Sequence, residues 1–122
     1  MSFLSSVAQS GFYIPTAVIV TNVSAVTPFV SQWSRCANSV TVSGTINIDP
    51  IANGLCEIDM TVPLATDFLL VSQLAGVMHD KDNSNEGGSI EAAIVSKKAR
   101  FQYTANNTNL RHFTFIFSYQ VV

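Results

Sequence analysis

From Val40 to Ile48 the chain alternates without a break. Val40, Val42, Gly44, Ile46 and Ile48 fall on one side, and Thr41, Ser43, Thr45 and Asn47 on the other. Period two over nine residues describes a strand with one buried face, and a helix cannot satisfy it. Gly44 on the apolar side predicts a bulge, or the close approach of a neighbouring backbone or ring. The same pattern returns from Leu110 to Val121, with Phe113, Phe115, Phe117, Tyr119 and Val121 opposed to His112, Thr114, Ile116, Ser118 and Gln120. So apolar a strand would aggregate at a sheet edge, which places it in the interior of a sheet. A third run turns Cys56, Ile58, Met60 and Val62 inward and Leu55, Glu57, Asp59 and Thr61 outward.

Less regular segments complete the pattern. Strands are expected over Thr16–Val23, over about eight residues beginning at Pro28, and over residues 73–80. A hairpin joins Ser89–Val95 to Ala99–Ala105 through a turn near Ser96–Lys98, and "NNTN" at 106–109 is a second turn. Thr66 followed by Asp67 predicts one helical turn over Asp67–Val71. The sum is an all-β chain: an antiparallel β-sandwich or jelly-roll-like domain of seven to eight strands, with at most one short helical turn. That domain is expected over residues 16–122, behind an N-terminal arm or linker at 1–15.

Composition sharpens this picture. Only 11% of residues are charged while 48% are hydrophobic. Ordinary globular chains carry about 25% charged residues, so the outer faces here are built from Ser, Thr, Asn and Gln. The net charge of −2 leaves no basic footprint for nucleic acid. Lys97, Lys98 and Arg100 form the one cationic cluster and read as a solvated strand edge. Cys36 and Cys56 make no disulfide framework and read as small buried hydrophobes. Neither they nor His79 and His112 have zinc-site spacing. The start "MSFLSSVAQSGF" has no cationic segment, so no secretory signal is expected, and no apolar run is long enough for membrane insertion.

Candidate chemistry is thin. Glu57 and Asp59 share a strand face, a spacing that an acid–base pair of a glycosidase would use, but any polar strand face shows it. His79 and His112 lie in no nucleophile motif. Asp80, Asp82, Ser84, Glu86 and Glu91 fall at calcium-loop positions, but Asn85 stands where glycine is needed and Gly87 where an apolar anchor belongs, and no helices flank the loop. It reads as a solvated loop. No catalytic residue, metal or cofactor is expected. Saccharide binding needs aromatic faces beside amides. The candidates are Trp33 with Gln32 and Arg35, and Tyr103 with Asn106 and Asn107.

The strings "FYIPT", "TNVSAVTPFVSQWSR", "NSVTVSGTINIDP", "VPLATDF" and "NLRHFTFIFSYQVV" occur in that order. Together they resemble the small β-rich module of tailed-bacteriophage virion structural proteins, the C-terminal domain of fibre-type and head-decoration proteins. The likeness runs from residue 12 to the end of the chain; Ala37-Asn38 stands where that module has Gly-Asn. The resemblance implies a non-enzymatic viral structural module, made in the bacterial host cytoplasm and carried on the virion. It implies a homo-oligomer, with a trimer favoured, whose partners are other virion proteins or a host-surface glycan. The alternative is a free-standing carbohydrate-binding β-sandwich of a microbial protein.

Overall fold

The computed structural model describes residues 8–82 and 86–121. It contains ten strands: β1 (Ala8–Tyr13), β2 (Ala17–Thr21), β3 (Val23–Pro28), β4 (Ser31–Cys36), β5 (Ser39–Pro50), β6 (Gly54–Met60), β7 (Leu74–Asp80), β8 (Gly87–Ala93), β9 (Lys98–Ala105) and β10 (Arg111–Gln120). All pair antiparallel, in the order β1-β4-β5-β10-β7-β8-β9-β6-β2, with β3 on β5. The fold is all-β, as the alternation predicts. No helix among the described residues is long and apolar enough to cross a membrane.

Ten strands replace seven to eight for two local reasons. Residues 8–13 are extended and add to the edge of β4. The run from Thr16 to Pro28 is broken by Asn22, whose φ of 55° lies in the left-handed region that Asn tolerates. Its side chain clamps the turn between β5 and β6: Nδ2 donates to the Ala52 carbonyl at 2.8 Å, and Oδ1 accepts from the Ala52 amide at 3.1 Å. The corner sends β2 onto β6 and β3 onto β5, so one continuous segment joins two strands that are consecutive in the chain but five places apart in the sheet order. Pro28 therefore ends β3 instead of opening a strand, and β4 starts at Ser31.

The sheet curls until β9 faces β10 across the core. Phe101 meets Phe115 and Phe117 edge-on, with ring centroids 5.0 and 6.2 Å apart, and Tyr103 meets Phe113 at 4.7 Å. β10 is interior, between β5 and β7, as its apolar face requires. Gly44 lies opposite Phe115; a Cβ there would sit 2.4 Å from Ser31 Oγ and 3.1 Å from the Phe115 ring, which is the close approach expected of it.

Between β6 and β7 the chain crosses the end of the core. Phe68 is fully buried against Tyr119, whose hydroxyl donates to the Leu64 carbonyl at 2.8 Å and accepts from the Leu64 amide at 3.1 Å. The one helical turn among the described residues is a 3-10 turn at Val71–Gln73, beyond the expected Asp67–Val71. Gln73 Oε1 accepts from the amides of Leu69 and Leu70 at 2.5 and 2.7 Å, fixing the turn from its far end. Cys56 is buried, whereas Cys36 is exposed at the β4–β5 hairpin; both are free thiols.

Candidate functional site

Charge is concentrated where the alternation places it inside. Arg111 is in phase with Phe113 and Phe115, and Asp80 with Leu74 and Met78, so both point into the sandwich. Arg111 is 2% exposed, Asp80 3% and Glu86 6%. The guanidinium grips Glu86 twice, Nε to Oε1 at 2.5 Å and Nη2 to Oε2 at 3.2 Å, with Asp80 Oδ2 at 3.9 Å. It also donates to the carbonyls of Asn109 and Asn107 and to Asn106 Oδ1. The hydrogen bond to Glu86 raises the Arg111 pKa against the opposing effect of burial. Two carboxylates of the supposed calcium loop are thus partners of an arginine. Residues 83–85 of that loop, Ser84 among them, lie outside the described residues. No group of three or more His, Cys, Asp or Glu side chains is arranged to hold a metal among the described residues.

Glu57 and Asp59 do not form a solvated pair. Asp59 is buried under Arg100, which donates from Nε at 2.8 Å and Nη2 at 3.1 Å, and Ser96 Oγ adds a third bond at 2.9 Å. Glu57 accepts from Thr21 Oγ1 at 2.9 Å. The hydrogen bond to Asp59 holds the Arg100 pKa up. Lys97 is likewise bonded to Asp67 at 2.7 Å, and β9 is interior to the sheet and not an edge.

The saccharide candidates are scattered by the same alternation. Trp33 and Arg35 share the inward side of β4, and Gln32 lies on the other. The Trp33 ring covers Gly11, where a Cβ would come within 3.3 Å of Nε1, and Arg35 Nε donates to the Ala37 carbonyl at 2.7 Å. Tyr103 is buried against Phe113, so its face is closed to a ligand. Asn106 and Asn107 are exposed at the turn, and both bond Arg111.

All three tyrosines of the chain are held above their ordinary pKa of about 10. Burial is the main cause in each, with Tyr119 pushed up to about 12 and Tyr13 and Tyr103 higher still. The folded chain keeps these protons where the unfolded chain releases them. Stability is therefore complete below about pH 10 and falls as pH rises toward 12. In an alkaline titration tyrosinate absorbance is expected to appear together with loss of near-UV circular dichroism. A tyrosinate signal at pH 10 from intact protein would contradict this burial.

Parts of the surface remain open. On the outer face, Phe12, Gln32, Ser43, Ile116, Val77 and Ser89 stand directly opposite one another from β1 to β8. The neighbouring row is Ser10, Ser34, Thr41, Ser118, Ala75 and Glu91. From β1 to β7 neither row carries a charge; charge begins at β8 with Glu91 and continues through Arg100 and Asp59. Ile116 is 48% exposed and Val77 62%, side by side on adjacent strands. Above these rows lies a cleft of about 240 Å³, lined by Phe29, Thr45, Asn47, Lys81, His112 and Phe113. A wider trough of about 510 Å³ runs over β8 and β9, where Gly87 and Gly88 leave room beside Ser89, Gln102, Thr104 and Asn106.

No family model matches the chain, and no curated protein sequence matches it. Among solved structures it is similar to the carboxy-terminal domain of the turkey type 3 siadenovirus fibre, avirulent form, complexed with 3-sialyllactose. The TM-score is 0.41 and the identity 11%, over 94% of this chain and 99% of that one. At that TM-score the likeness assigns this chain neither a fold nor a ligand; the strand pairings define the fold by themselves.

Proposed function

We propose that this chain is a non-enzymatic structural module of a tailed-bacteriophage virion. Its copies associate, with a trimer favoured, and the assembly presents its remaining surface to a host saccharide or a neighbouring virion protein. The observation that carries the association is the pair of uncharged rows from β1 to β7, with Ile116 and Val77 exposed side by side at their β10–β7 end. Charge depletion around exposed apolar side chains is the composition of an interface core, and exposed apolar patches mark association sites. Support for the virion assignment comes from the ordered sequence strings that resemble the phage module. The non-enzymatic reading is supported by the pairing of Glu86, Asp80 and Asp59 with arginines, which leaves these carboxylates engaged in structure.

Sedimentation velocity tests this. The wild-type chain is expected to sediment as a homo-oligomer. The double substitution Ile116→Asp and Val77→Asp is expected to sediment as a monomer with unchanged far-UV circular dichroism. A wild-type monomer at every concentration would sink the oligomeric reading. If that monomer also bound saccharide, the free-standing carbohydrate-binding module would be favoured instead.

A further inference from the structure

We infer that the cleft beside Phe29 is a binding site for a neutral pyranose, the terminal ring of a saccharide. The inference rests on the reading of this chain as a surface-presenting module and names what one part of that surface takes. The cleft is built on backbone pairing. The Phe29 amide donates to the Thr45 carbonyl at 3.2 Å, and the Lys81 amide to the His112 carbonyl at 3.0 Å, so both walls are tied to the sheet. The floor comes from β5 and β10, where Asn47 lies opposite His112. Their side chains are bonded, Nδ1 to Oδ1 at 2.8 Å. An amide oxygen only accepts, so Nδ1 carries the proton. That leaves the Asn47 amide nitrogen as donor and His112 Nε2 as the second ring nitrogen.

The chemistry matches one class of ligand. Phe29 is 43% exposed and offers an apolar face on which the C–H face of a sugar packs. The Thr45 hydroxyl, the Asn47 amide and the Lys81 ammonium supply both donors and acceptors for hydroxyl groups. A volume of about 240 Å³ is below the ~300–1,000 Å³ of drug-sized sites, which limits the occupant to about one ring. The charge decides between neutral and acidic sugars. Asp82 stands just outside the lining, its Oδ2 3.7 Å from His112 Nε2, so a carboxylated sugar held against His112 would meet a like charge. A nucleotide is disfavoured by the same carboxylate.

The test is a titration of the ¹⁵N-labelled full chain with the methyl pyranosides of glucose, galactose, mannose and N-acetylglucosamine, and with 3-sialyllactose. At least one neutral pyranoside is expected to shift the amides of Phe29, Thr45, Lys81 and His112 saturably. Phe29→Ala and Asn47→Asp are each expected to weaken that binding about tenfold. Gln32→Ala, elsewhere on the same sheet, leaves it unchanged. No shift at these amides from any pyranoside overturns the inference. So does binding indifferent to both substitutions, or tighter binding of 3-sialyllactose than of every neutral sugar at this cleft. A glycan array separates the two levels. Saccharide capture that survives Phe29→Ala removes the cleft and keeps the surface-presenting module; capture of no saccharide by an intact oligomer removes the glycan-attachment reading as well.

Discussion

Arg111→Ala is expected to lower the unfolding free energy by about 3–5 kcal/mol, the usual cost of removing one partner from a buried ion pair. The substitution leaves Glu86 and Asp80, both almost fully buried, without the guanidinium that compensates them. It also strips the Asn107 and Asn109 carbonyls of their donor, so the turn before β10 loosens. Urea denaturation measures the loss. The more telling variant replaces the whole group, Arg111→Met with Glu86→Leu and Asp80→Leu. An apolar filling of similar volume has no charge to desolvate, so most of the lost stability is expected to return. A loss below about 1 kcal/mol for Arg111→Ala alone would mean that water reaches these carboxylates.

Phe101→Ala is the second large effect, at about 3–5 kcal/mol. Phe101 is fully buried, lies opposite Ile58 and Ile90 on its two neighbouring strands, and reaches across the core to Phe115 and Phe117. Removing its ring unfills the centre of the sandwich, where strands on both sides are pinned by their ladders and cannot collapse inward. The denaturation midpoint is expected to fall sharply. Phe12→Ala, at a ring 74% exposed, is expected to stay within about 0.5 kcal/mol of wild type. Comparable effects at the two positions would mean that Phe12 is covered in the oligomer.

Alternation made the long strands legible. β5 and β10 stand where their period places them, and Phe113, Phe115, Phe117 and Tyr119 are all buried. Extending the same count by one step would have found the ion network, because Arg111 is in phase with Phe113, and Asp80 with Met78. It would also have turned Tyr103 inward beside Phe101 and separated Gln32 from Trp33. Partner choice was not legible. Period two tells which side a residue faces, but not that Asp59 meets Arg100 or that Glu86 meets Arg111, because those pairings depend on strand order. The break at Asn22 was hidden for a local reason, since its β-branched neighbours on both sides read as one strand. The Phe29 cleft unites residues from a loop, β5, β10 and the end of β7, and no local motif marks it.

The central ladder has a kinetic consequence. β5 and β10 pair along ten positions, and the hydroxyls of Thr41 and Ser118, 77 residues apart in the chain, are bonded across it. No short hairpin can seed that ladder; the intervening chain must be gathered first, at a cost in loop entropy paid before the reward. Refolding from denaturant therefore belongs to the slow class of β proteins, on the order of milliseconds to seconds. Until β5 and β7 close around β10, its phenylalanines stand open to other chains, so the assembly of this module is most vulnerable before its middle has formed.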